Sequence, residues 1–314
     1  MIKSIVVKNN VTLQQKTISK EQGSLYLDLI DWDVPQVEVS RYRVPYQIGS
    51  TPIGTLIESR KPVIEGYIIA KQEDITEHTT WEEYYMLQEA SIEKQKLELD
   101  RLFSVFQDIT IEVNGRSIVG RPTHPIRYSV EEEENNEVLC RFQIELECFN
   151  PMFMGETKNV KLATIENRFK FPMVIPKQKG IIFGELMKRQ SVLVNNEGDS
   201  DVGCIIVIEA KGGDVANPKL YSLSTDEFIQ FENVVLHDGD YIRINSHTGE
   251  EEAIKHDVGS GKDIPLEGNM VEGSSFMRIK QGGTFYAYSV DEQYKTNIDV
   301  TIQYTEQYFN VRGM

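Results

Sequence analysis

The chain has 314 residues, a mass of 36.0 kDa, and a net charge of -16 from 49 acidic and 33 basic side chains. That length exceeds what one core usually serves, so two domains are expected. Composition is ordinary for a globular protein, and the excess of acid runs against sequence-independent binding to nucleic acid or to anionic lipid. The charge is spread evenly, with 26 acids against 17 bases in residues 1–160 and 23 against 16 in residues 161–314. The start, MIKSIVVKNN, has no apolar signal-like region, and no apolar run approaches a membrane span.

Residues 2–7 and Ser24–Ile30 read as strands, and Val34–Val44 continues in β character, with Pro35 and Pro45 marking an edge or a bend. Residues 46–56 are turn-rich and receive no interface role. Val63–Ala70 is strongly β-prone. A long helix then interrupts, with Thr80 as N-cap and Glu83 completing a capping box. Tyr85, Ile92, Leu99 and Phe106 recur every seven residues, with Trp81, Leu102 and Phe103 nearby, which draws an apolar stripe. Gln88 and Gln95 fall where a coiled coil would want its second seam, so a helix laid on a sheet is expected; two helices broken near Ser91 are the alternative.

Ile109, Ile111 and Val113 lead into Asn114-Gly115, a strong hairpin signal. Glu131–Glu134 with Asn135-Asn136 reads as a solvated hairpin tip rather than a calcium loop. On the return strand Cys140, Phe142, Ile144, Leu146 and Cys148 face one way. At strand rise those two thiols stand roughly 26 Å apart, beyond disulfide reach, so reduced, buried cysteines are expected. Residues 151–190, with Pro151, Pro172 and Pro176, read as a connector. From Val192 onward short strands alternate with turn signals such as Asp238-Gly239 and Gly282-Gly283, and Ile298, Val300, Ile302 and Tyr304 share one face of the last strand. The fold class is therefore mainly β with one helix, in two domains, the second an antiparallel sandwich.

Catalytic motifs are missing. Gly259–Asp263 has a P-loop look, but Asp263 stands where Ser or Thr would hold magnesium, and a glycine-rich turn is the simpler reading. His78, His124, His237, His247 and His256 show no ligand spacing. Asn195, Asn196, Asp199 and Asp201 read as an Asx-rich turn rather than a cation site. No enzyme activity, cofactor or metal is expected. The candidate carbohydrate contacts are Tyr286 and Tyr288, which share a face of the strand Thr284–Val290, with Phe285 on the opposite, core side; Trp32 and Trp81 are further stacking candidates.

The order of several segments is similar to that of the siphophage distal tail proteins. In the second half they are Val194–Asp199, Cys204–Glu209, Asn217-Pro218-Lys219-Leu220, Leu236 followed by Gly239–Asn245, Ser274-Ser275-Phe276, Gly282-Gly283 and a closing strand near Tyr308. In the first half they are Arg60–Ile68, the helix, and Cys148-Phe149-Asn150-Pro151. The resemblance implies an N-terminal β-sandwich with a helix over residues 1–155, a connector over 156–190, and a galectin-like or carbohydrate-module-like sandwich over 191–314. It implies a hexameric ring of copies that joins the tail tube to tail-associated or receptor-binding proteins at the virion tail tip, assembled in the bacterial cytoplasm, with DNA passing through. A module binding host cell-wall carbohydrate is the alternative.

Overall fold

The computed structural model describes residues 2–71, 80–131, 136, 138–163, 165–166, 185–186, 191–290 and 297–311. The protein is mainly β, with one α-helix among the described residues. It divides into two compact units: residues 1–154 with 309–314, and residues 155–308.

The first unit runs β1 (Ser4–Asn9), β2 (Gln15–Ser19), β3 (Leu25–Asp31), β4 (Val37–Tyr42), β5 (Thr51–Ile57), β6 (Val63–Ile69), α1 (Trp81–Leu102), β7 (Ile109–Val113), β8 (Arg116–Pro122), β9 (Arg127–Tyr128) and β10 (Leu139–Glu147). Seven strands pair in the order β8-β7-β1-β2-β3-β6-β10, and β10 pairs back to β8 through Leu146–Pro122 and Glu147–Arg121. The sheet therefore closes on itself. A two-sheet sandwich was the expectation here, and closure corrects it: sandwich and barrel strands both bury alternate side chains, so periodicity alone does not separate them. The alternation itself is regular, with Cys140, Phe142, Ile144, Leu146 and Cys148 buried on one face of β10 and its extension. β7 and β8 meet through Asn114 and Gly115, both at positive φ, as a two-residue turn requires. Gly66 on β6 lies between β3 and β10, where a Cβ would stand 2.3 Å from Tyr26 O and 2.7 Å from the Phe142 ring, so only glycine fits.

α1 is one continuous helix with the expected capping box. Glu83 N–H donates to Thr80 Oγ1 at 3.2 Å, and Thr80 N–H donates to Glu83 Oε2 at 3.1 Å. Its buried side carries Gln88, Ser91, Ile92, Gln95, Leu99 and Leu102. The two expected seam-breaking glutamines are thus inside: Gln95 Nε2 donates to Ile69 O at the end of β6, and Ser91 Oγ accepts from Lys71 N–H. Trp81, Tyr85 and Phe106, placed on the stripe by their spacing, are exposed.

Arg60 sits at the base of this unit and is buried. Its guanidinium donates to four carbonyls, those of Pro151 (3.0 Å), Trp32 (3.3 Å), Asp33 (3.1 Å) and Phe309 (2.7 Å), and lies over the Phe153 ring at 4.9 Å. Trp32 packs edge-on against the same ring.

In the second unit β11 (Phe153–Ala163, from Gly155 on), β15 (Cys204–Ala210), β20 (Tyr241–Asn245), β21 (Glu252–Asp257), β22 (Lys262–Pro265) and β24 (Ile298–Tyr308) form one sheet, ordered β22-β21-β20-β15-β24-β11. A second sheet, β14-β23-β17-β18, comprises Val192–Val194, Thr284–Ser289, Lys219–Ser222 and Phe228–Gln230. Two short pairs join Ile165–Glu166 (β12) to Glu185–Leu186 (β13), and Val215–Ala216 (β16) to Val235–Leu236 (β19). Both larger sheets feed one core, with Ile206, Ile208, Val300 and Ile302 from one and Val194, Leu220, Ile229 and Tyr286 from the other. The expected connector begins as strand β11; residues 167–184 lie outside the described residues, as do most of the expected hairpin tip at 131–136 and His78.

Removing the Arg60 fork leaves buried carbonyls without donors. Arg60→Met is expected to lower unfolding stability by about 3 kcal/mol, and Arg60→Lys, which keeps the charge but not the fork, by at least ~1 kcal/mol. Urea midpoints test this, and an Arg60→Met midpoint equal to wild type would refute it.

Candidate functional site

The residues singled out for chemistry are spoken for by structure. Asp257 accepts from Ser260 N–H at 2.8 Å through Oδ1 and from Gly261 N–H at 2.8 Å through its carbonyl, so the P-loop-like run is the turn between β21 and β22. Asn196 Oδ1 accepts from Gly198 N–H, its Nδ2 donates to Ser200 O, and Asp201 holds Lys280 and Gln281 N–H. Among the described residues no group of three or more His, Cys, Asp or Glu side chains is placed to hold a metal. His256 donates to or accepts from Asp263 at 2.7 Å and stacks on Tyr241, while His237 meets Asp214 at 3.2 Å. All three cysteines are free and buried. Burial pushes the Cys148 thiol up to about 12 and the Cys204 thiol up to about 11, so neither supplies a thiolate near neutral pH.

A cavity of about 310 Å³ in the first unit is lined by Glu65, Arg127, Tyr128, Ser129, Arg141, Phe142 and Gln143. Its one carboxylate, Glu65, is held by Arg141 at 2.8 Å and by Gln143 at 3.0 Å across the β6–β10 ladder. A second carboxylate facing it across the cavity, which acid–base hydrolysis of a glycoside needs, is not in that lining.

Tyr286 has no exposed surface, and its hydroxyl is without a partner among the described residues. A ring with no exposed face offers no platform to a sugar. Tyr288 is half-buried against the same core, and Phe285, expected inside, is 45% exposed. The faces of β23 are thus the reverse of the expectation. Aromatic residues fill three of five consecutive positions, so spacing gave no phase, and Tyr286 went to the core despite its hydroxyl. Trp32 is buried; Trp81 is exposed at the start of α1.

The exposed apolar surface gathers elsewhere. β4 and β5 form a ribbon of their own, paired only with each other among the described strands. Val37, Val39, Tyr42, Ile53 and Leu56 on the strands are exposed, with Val44, Tyr46 and Ile48 at the tip; Tyr46 and Ile48 have no shielding at all (105% and 102%). The tip is held by Gln47, whose N–H donates to Val44 O and whose side chain accepts from Val44 N–H and donates to Thr51 Oγ1. The root is fixed at Arg60 through the Trp32 and Asp33 carbonyls. A two-stranded ribbon is marginal alone in water, and an apolar patch of this kind marks an interaction surface. Sequence reading passed over it because Pro52 and Gly54 made β5 look like a turn. The available signal was charge: no acid occurs between Glu38 and Glu58 in a chain with 49 of them.

No protein-family model and no curated protein sequence matches the chain. Solved structures of phage proteins align with the chain over nearly its whole length. The Dit protein of phage SPP1, described as a paradigm of the hub adsorption apparatus in phages infecting Gram-positive hosts, aligns with a TM-score of 0.59 at 12% identity, over 96% of this chain and 98% of that one. A chain from the structure of the phage P2 baseplate in its activated conformation with calcium aligns at a TM-score of 0.43 and 10% identity, over 96% of this chain and 98% of that chain. The chain has a Dit-like fold.

Two measurements test this placement of residues. Tyr286→Phe is expected to keep or raise the thermal midpoint, because it removes a buried hydroxyl that has no partner, whereas Tyr286→Ala is expected to cost about 3–5 kcal/mol. Acid sensitivity follows from two carboxylates of the second unit. Burial works against the charge of Asp240, but the Val258 and His237 N–H groups and the Lys255 ammonium outweigh it and hold its carboxyl below the usual range. Burial likewise opposes Glu306, and Lys158, the Glu197 N–H and the Tyr308 hydroxyl outweigh it. Both folded values lie below the unfolded ones, so their stabilisation is complete above about pH 4.5 and is lost as pH falls from there through the folded values. Urea midpoints across that window are expected to fall with acid, and less steeply in Asp240→Asn.

Proposed function

We propose that this chain is a structural component of a phage tail tip, a baseplate hub whose copies form a hexameric ring between the tail tube and the tail-associated or receptor-binding proteins. The observation that carries the reading is the likeness to SPP1 Dit over 96% of this chain and 98% of that one, which extends into both units. A hub needs rigid bodies and outward contact surfaces rather than a reaction centre. The exposed apolar ribbon of the first unit fits that need. In this reading the first unit, residues 1–154 with 309–314, builds the ring, and the second, residues 155–308, forms a galectin-like sandwich. The acidic balance of the first half would let DNA pass without adhering. The assembly would reside at the virion tail tip after assembly in the host cytoplasm.

Negative-stain images of the purified protein test this directly. Particles with six-fold symmetry and a central channel are expected, with a light-scattering mass six times that of one chain. A protein that stays monomeric at high concentration would sink the reading.

A further inference from the structure

We propose that the apolar hairpin of one copy docks on the outer face of α1 of a second copy, and that this contact is the repeating joint of the ring; it rests on the ring reading above. The two surfaces are opposite in charge and alike in apolar character. From Val39 to Ile57 the hairpin carries Arg41 and Arg43 and no acid. From Trp81 to Glu93 the helix carries Glu82, Glu83, Glu89 and Glu93 and no base. Both present large exposed side chains, Tyr42, Tyr46, Ile48 and Ile53 on the hairpin and Met86 and Leu97 on this side of the helix. Glu82, Met86, Glu89 and Glu93 recur at offsets of four, three and four, so they share one side of the helix, opposite the buried Gln88, Ser91, Ile92 and Gln95.

The lengths agree as well. Strands of six and seven residues span roughly 20–23 Å. The thirteen-residue acidic stretch of the helix spans roughly 20 Å. Arg41 and Arg43 give the ribbon a direction against the helix, because opposite charges facing each other across a contact fix its register. The two patches differ, so the contact is heterologous and repeats head to tail, which is what a closed ring requires.

The test uses two charge-swapped full-length chains, R41E/R43E and E82K/E89K. Glu83, which caps the helix, and Glu93, which holds Lys96, stay untouched. All four positions are exposed, and unchanged circular dichroism and thermal midpoints show that both variants fold. By light scattering, each variant alone is expected to lose the ring, and their equimolar mixture to regain it as alternating copies, since an acidic hairpin then meets a basic helix and a basic hairpin an acidic one. Swaps that leave a wild-type ring intact would overturn this contact and spare the ring. A mixture that stays monomeric would overturn it too, as would hairpin-dependent sedimentation with phosphatidylglycerol vesicles and unchanged self-association, which would assign the hairpin to a lipid surface. A wild type that never assembles would remove the ring reading and this joint together.

Discussion

One buried cation organises the first unit. A guanidinium taken out of water is costly unless its donors are used. Arg60 uses them on backbone oxygens from three stretches of chain that are far apart in sequence: the entry to the hairpin, the exit at Pro151, and the return at Phe309. Burial lowers its pKa, the Cys148 and Asp33 side chains oppose that, and the group stays charged at any pH the fold meets. The carbonyl cluster would repel itself without the cation, and the cation would be stranded without the carbonyls. Each therefore enforces the other, and the hairpin root inherits a fixed exit direction.

Much of the fold was legible because period-two alternation is a direct consequence of pleating. β10 and β24 bury every second residue over nine and eleven positions, and both read cleanly from their sequences. The Asn114-Gly115 turn and the Thr80–Glu83 cap were legible for the same reason: each depends on two or three neighbouring residues and no distant ones. What failed was whatever depends on partners far away in sequence. Closure of β10 onto β8 leaves no local trace. Gln88 and Gln95 fell where a coiled coil would want a second apolar seam, yet both are buried, and the Gln95 amide donates to the carbonyl of Ile69 at the end of β6.

The aromatic strand β23 shows a different limit. Thr284, Tyr286 and Ala287 are buried while Phe285 is exposed, so chemistry and burial part company. The core of the second unit chose position rather than polarity, and the Tyr286 hydroxyl went in with its ring. Any account of sugar binding by this strand has to begin from Phe285, not from the residue whose hydroxyl suggested it.

Closure also decides where association is able to occur. An open sheet offers backbone donors and acceptors along its edges, and copies could join by pairing those edges. In the first unit each of the seven barrel strands has a partner on both sides among the described residues, so that route is narrowed, although β2 and β3 meet through Ser19 and Tyr26 alone. Two elements of the first unit pair on one side alone among the described residues: the short β9, on β10, and the strands of the ribbon β4–β5, on each other. The same ribbon carries the densest exposed apolar surface and is clamped at its root by Arg60. A closed barrel with one anchored, apolar arm leaves that arm as the prominent contact surface of the first unit. In the proposed head-to-tail assembly, a joint made of a single arm and a single receptor would repeat at one angle.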